Sequence, residues 1–96
     1  MLTVLATLPV QPGKGPDFEK VFAELAKQVR ANEKGCALYS LNRAKSDANT
    51  YVVVERYVDQ DAFGHHGQTP YFLAAFPKLG AFMAGAPKIE LFEEVL

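Results

Sequence analysis

Val, Thr and Leu crowd the stretch from Leu2 to Val10, which stops at Gln11-Pro12-Gly13, and this predicts a first strand closed by a turn. The period then changes. Phe18, Val21, Phe22, Leu25, Ala26 and Val29 recur at helical spacing, with Glu19, Lys20, Glu24, Lys27 and Arg30 on the opposite side. This predicts an amphipathic helix, with Pro16 in its first turn and Gly35 in the left-handed position just past its end. Cys36 to Arg43 and Thr50 to Val58 are extended runs joined by the polar stretch Ala44 to Asn49, which allows an antiparallel hairpin. Asp59 can cap a short helical turn through Asp61, Ala62 and Phe63, and Thr69-Pro70 restarts a helix. Phe72, Ala75, Phe76, Leu79 and Met83 form its apolar stripe. Pro77 interrupts that stripe at a cost of roughly 3 kcal/mol, so a kink or split is expected there. Lys88 to Leu96 resumes alternation as a last strand.

Strand, helix, strand, strand, helix, strand is the ferredoxin-like α+β plan, in which right-handed crossovers place the helices on one face of an antiparallel sheet. The other face should then be polar in a monomer. The chain does not provide that: Tyr51, Val53, Glu55 and Tyr57 share one parity, and Val52, Val54, Arg56 and Val58 the other. Two copies packed sheet to sheet would bury roughly 25 cal/mol for each Å² of apolar surface, so a homodimer through the sheet face is expected.

With 96 residues the chain forms one expected domain, residues 1–96. Its 49% hydrophobic and 22% charged residues are globular in balance. A formal charge of −1 and scattered lysines give no nucleic-acid footprint. A single cysteine, Cys36, excludes an intrachain disulfide and a Cys-based metal site, which fits a reducing compartment. The apolar start lacks a positive leader and is too short for a membrane span, so a cytoplasmic protein with no membrane partner is expected.

Gly35-x-x-x-Tyr39, then Tyr51-Val52-Val53-Val54-Glu55-Arg56-Tyr57-x-Asp59, then Ala62-Phe63-x-x-His66-x-x-Thr69-Pro70-x-Phe72 resembles the antibiotic biosynthesis monooxygenase family of dimeric α+β barrel proteins. The resemblance runs in order over most of the chain and is densest from residue 51 to 72. It implies a homodimer with back-to-back sheets, a small apolar cavity between sheet and helices, and oxidation of quinols or polyketide-like aromatics without a cofactor. Relatives on the same fold bind haem, isomerise lactones or have no known catalysis, so fold alone does not fix function. Two positions depart from the family pattern: Tyr71 stands where a second histidine is frequent, and Tyr57 where Trp is common. The haem-degrading branch uses an Asn in the first strand, a Trp at the place of His66 and a ligand histidine near Phe76. This chain has no Asn before Asn32, no Trp, and a phenylalanine at 76, which disfavours haem degradation.

Oxidation of an electron-rich phenol or enol without flavin or metal requires a base that titrates near neutrality, and histidine meets that need. His66 is the candidate base; the structural alternative is that it caps the broken helix by donating to a carbonyl. His65 reads as a surface residue. Tyr57 and Tyr71 combine a ring with a hydroxyl able to orient a phenol or carbonyl, whereas Tyr39 reads more as core packing. Glu55, mid-strand among valines, needs a partner. It reads either as a cavity acid or orienter of a histidine, or as a structural carboxylate paired with Arg43, Arg56 or the second chain. Phe63, Phe72, Phe76 and Met83, with Phe82, are candidates to line a pocket for a small aromatic ligand; ordinary core packing is the alternative.

Overall fold

A computed structural model describes all 96 residues. Its elements are β1 (Leu2–Pro9), α1 (Gly15–Asn32), β2 (Cys36–Arg43), β3 (Thr50–Tyr57), α2 (Gln60–His66), α3 (Pro70–Gly80) and β4 (Lys88–Glu93). They build one four-stranded sheet in the order β2-β3-β1-β4, with every pair antiparallel. This is the ferredoxin-like α+β fold. Helices pack against the face that carries Val4, Ala6, Tyr39, Tyr51, Val53, Glu55 and Tyr57, all of them buried.

Local chemistry accounts for the boundaries. In the turn Gln11 to Lys14, the Lys14 N–H donates to the Gln11 carbonyl at 3.0 Å, and Gly13 takes a φ of +81° after Pro12. That pairing suits proline followed by a residue free to adopt positive φ. The α1 stripe of Phe18, Phe22, Leu25, Ala26 and Val29 is buried as its spacing requires. Asp59 caps α2 by accepting from the Ala62 N–H at 2.8 Å, and Thr69 caps α3 by accepting from the Phe72 N–H at 3.3 Å.

Apart from β4, which ends at Glu93 rather than Leu96, four details depart from the sequence expectation. Gly35 has no positive φ; its φ is not left-handed at all, and only Gly13 is. What Gly35 supplies is space, because a Cβ there would stand 2.7 Å from the Ala62 Cβ of α2. Second, α2 extends to His66 rather than ending near Phe63. Third, α3 runs uninterrupted through Pro77. The bond that Pro77 cannot make would go to the Leu73 carbonyl, and both residues lie on the exposed side, where water can satisfy it. Fourth, α3 stops at Gly80, so Met83 lies beyond the helix and pairs instead with Val10 in an isolated bridge.

The uncovered sheet face is apolar along its middle and polar at its margins. Leu5 sits opposite Val54, and Val52 opposite Thr7. All four are half-buried without a covering layer. Leu38 and Phe92 flank this strip and are exposed, while Arg56 pairs with Glu94 and Lys88 with Glu90. No helix is long and apolar enough to cross a membrane.

The close approach at Gly35 is testable by a double-mutant cycle. Gly35→Ala is expected to lower unfolding stability by about 1–3 kcal/mol, as overpacking does. In the Ala62→Gly background the same change should cost much less, because the facing methyl is gone. Equal costs in both backgrounds, measured by urea unfolding, would show that the contact does not limit the residue at 35.

Candidate functional site

The last residue of α2 and the first residue after α1 meet in the interior. His66 and Glu33 are 4% and 7% exposed, and His66 Nδ1 lies 3.0 and 3.1 Å from the two Glu33 carboxylate oxygens. Tyr71, in the first turn of α3, donates its hydroxyl to Glu33 Oε2 at 2.5 Å. Thr69 fixes the junction between the two short helices, because its hydroxyl donates to the His66 carbonyl at 2.9 Å while also capping α3. One carboxylate thereby ties together the end of α1, the end of α2 and the start of α3.

The other side of the imidazole is aromatic. Its Nε2 is 3.5 Å from the Tyr39 hydroxyl, at the outer limit of a hydrogen bond. The rings of Phe72, Tyr39 and Tyr57 surround it with centroids at 4.8, 5.2 and 5.8 Å, and Phe63 packs on Tyr57 at 5.3 Å. Tyr39 is in turn stacked on Phe22 of α1 at 5.4 Å with 8° between the ring planes.

A second carboxylate approaches from the sheet. Glu55 is buried and accepts from the Tyr57 hydroxyl at 2.5 Å; the two residues are two apart in β3 and therefore share a face. Burial pushes the Glu55 carboxyl above its ordinary value, against the opposing effects of the Tyr57 bond and the His66 ring, while the Glu33 charge adds to the rise. Burial also pushes the Tyr39 and Tyr57 phenols far up, with Glu55 the next cause for each. Tyr71 is pushed up to about 12 by burial and then by its bond to Glu33. All three tyrosines are therefore hydrogen-bond donors at neutral pH, and none is a base. The Cys36 thiol, pushed up to about 11 by burial and then by the Glu33 charge, is not an activated nucleophile.

Of the residues singled out from the sequence, His66, Tyr39, Tyr57, Tyr71, Glu55, Phe63 and Phe72 converge on this cluster. Phe76 and Met83 do not. Phe76 is 64% exposed and packs its ring on Phe72, and Met83 belongs to the Val10 bridge. His66 bonds a carboxylate rather than capping a carbonyl with its ring. Glu55 pairs with neither arginine: Arg43 reaches Glu19, and Arg56 points from the opposite sheet face to Glu94. The carboxylate bonded to the histidine is that of Glu33, a residue absent from the sequence expectation. The signal for it was present, since Glu33 stands four residues after Val29 and continues the buried α1 stripe.

Two surface clefts adjoin the cluster. One, of about 240 Å³, is lined by Glu33, Lys34, Cys36, Ala62 and His65 among others. The other, of about 320 Å³, runs along β2 beside Arg30, whose guanidinium donates to the Tyr39 carbonyl at 2.7 Å.

The family model described as antibiotic biosynthesis monooxygenase matches residues 1–78. A Bacillus subtilis protein named as a candidate monooxygenase, YcnE, is 31% identical over 87 residues, which is 91% of this chain and 90% of that protein. A crystal structure described as a candidate antibiotic biosynthesis monooxygenase from Caulobacter crescentus CB15 superposes with a TM-score of 0.96 at 50% identity, over 99% of this chain and 90% of that one. SnoaB, described as a cofactor-independent oxygenase from Streptomyces nogalater, superposes with a TM-score of 0.84 at 29% identity, over 97% and 91% of the two chains.

The raised Glu55 carboxyl sets a pH dependence of known sign. The folded state holds this proton more tightly than the unfolded chain does. Glu55 therefore costs stability as pH rises from the ordinary glutamate value of 4.5 towards its raised folded value. Glu55→Gln keeps an acceptor for Tyr57 and removes the titration. The gap in thermal midpoint between Glu55→Gln and the parent is expected to widen in favour of the variant as pH is raised from 4 towards 8. Parallel profiles would contradict the assignment.

Proposed function

The chain belongs to the antibiotic biosynthesis monooxygenase family, and from that premise we propose that it is a cofactor-independent monooxygenase that oxidises a small aromatic quinol or polyketide-like substrate with dioxygen. The observation that carries this reading is the two-sided environment of His66: Nδ1 is held by a buried carboxylate, and Nε2 faces an aromatic enclosure with a tyrosine hydroxyl beside it. A flat aromatic suits that enclosure by the same ring packing that now fills it.

His66 Nε2 takes the acidic proton of the substrate, and the Glu33 carboxylate stabilises the imidazolium so formed. The resulting electron-rich anion is the reductant of dioxygen. For an anthrone-like methylene the balance is one CH₂ and one O₂ consumed, one carbonyl and one water produced, with all electrons from the substrate. His66 returns its proton to the peroxide, then takes the second hydrogen of the former methylene as the O–O bond breaks and the carbonyl forms, and that proton joins the departing hydroxide to give the water. Tyr39, held in the phenol form, serves as a donor to the substrate oxygen once the rings part, while the Tyr57 proton stays on its bond to Glu55.

A homodimer through the open sheet face belongs to the same proposal. The half-buried strip of Leu5, Val52 and Val54 with exposed Leu38 and Phe92 offers a self-complementary apolar patch, and a two-fold axis would set it against its own copy.

Oxygen uptake with hydroquinone-like and anthrone-like compounds tests the activity. His66→Ala is expected to lower it by roughly 10²–10⁴, the usual contribution of a positioned base. Unchanged turnover would remove His66 from the mechanism. Sedimentation velocity tests the assembly: the parent should run as a dimer and Val54→Asp as a folded monomer. A parent that sediments as a monomer would contradict the sheet-face pairing. The near-complete burial of His66 favours one other reading, a small-ligand-binding dimer without turnover. Ligand binding with no oxygen uptake across the quinol series would select it.

A further inference from the structure

Glu33 is placed where local electrostatics oppose it. It is the residue that caps α1 at its C-terminal end, with its backbone N–H donating to the Val29 carbonyl at 2.9 Å. The partial negative charge of a helix C-terminus disfavours a carboxylate there, and burial adds a desolvation cost. A neutral or basic residue would cap this helix at lower cost. Such a conflict between local preference and observed residue points to a task elsewhere in the molecule. That task is visible in its contacts, because every hydrogen bond of the Glu33 side chain goes to His66 Nδ1 or to Tyr71.

We propose that Glu33, pinned by Tyr71, is the positioning residue of the site: it holds the neutral His66 ring with its proton on Nδ1, and so leaves the lone pair of Nε2 as the working base. The chemistry is direct. An ionised carboxylate can only accept, so the ring nitrogen facing it must be the protonated one. Both carboxylate oxygens stand at bonding distance from Nδ1, and Tyr71 completes the acceptor shell of Oε2. Nε2 then points at the Tyr39 hydroxyl, whose 3.5 Å separation makes a weak contact that a substrate oxygen can replace. Glu55 does not perform this task, since its carboxyl is committed to Tyr57. The role rests on His66 being the base proposed above, but the tautomer itself exists without any substrate.

The test is a long-range ¹H–¹⁵N spectrum of the histidine rings in the full-length, ligand-free protein at a pH where His66 is neutral, with His65→Ala separating the two histidines. The parent is expected to show the Nδ1–H form at His66. A resting Nε2–H form would overturn the proposal. Glu33→Gln, which offers a donor as well as an acceptor, is expected to move His66 towards the Nε2–H form, while its amide spectrum reports an intact fold. A folded Glu33→Gln with an unaltered Nδ1–H signal would overturn it as well. Should that variant fail to fold, the parent spectrum still decides. Where the oxidation is active, Glu33→Gln should lower kcat by about 10²-fold or more with little change in KM; loss of an orienting carboxylate costs on the order of 10⁴ in a serine protease. No oxygen uptake in any protein, with the expected tautomers present, would sink the oxidation and the role built on it, and leave only the Glu33-set tautomer standing.

Discussion

A carboxylate and an imidazole, both nearly removed from water, meet where α1, α2 and α3 converge, and the arrangement of the helical layer depends on that contact. Either group alone would be costly in the interior, since a buried charge without a partner destabilises by several kcal/mol. Together, and with Tyr71 as a further donor, they are satisfied. The consequence is geometric: α2, only seven residues long, gains a fixed orientation from its last side chain. Thr69 and Gly35 serve the same junction, one by bonding the His66 carbonyl and capping α3, the other by letting α2 approach the end of α1.

From this junction the chemistry of the interior follows. The carboxylate takes one side of the histidine, so the other side faces rings contributed by β2, β3 and α3. Glu55 lies on the sheet side with its carboxyl raised by burial, and Glu33 on the helix side with two donors. The sheet meanwhile leaves its second face bare, with an apolar strip that a single chain does not cover.

Much of the fold was legible in the chain, because the changes of period at Pro12-Gly13, Gly35 and Asp59 mark real boundaries and the α1 stripe is buried as spaced. The misses have physical reasons. Pro77 was expected to kink or split its helix; it does not split it, because the bond it removes lies on the water side. Met83 was assigned to that helix because the apolar period continues past Gly80, while the backbone there has already turned to pair with Val10. The site was legible in part. His66, Tyr57 and Tyr71 were found through a motif, yet Glu33 as the partner of Tyr71 was not, since a hydrogen bond across the fold leaves no local period; Glu55 and Tyr57 share a strand face two residues apart, which the period shows without showing the bond. Glu33 was the largest omission: it is a charged residue at a helix end, and only its phase with Val29 shows that it faces inward.

The coupling between Glu33 and His66 is the central claim, and a double-mutant cycle on stability measures it most directly. Glu33→Gln, His66→Phe and the double variant would be unfolded in urea at neutral pH. The pair is expected to show an interaction of about 1–3 kcal/mol, the double variant being less impaired than the sum of the singles, because His66→Phe alone strands a buried carboxylate. Additive losses would mean that the two residues are merely neighbours, and the organisation of the site around them would have to be abandoned.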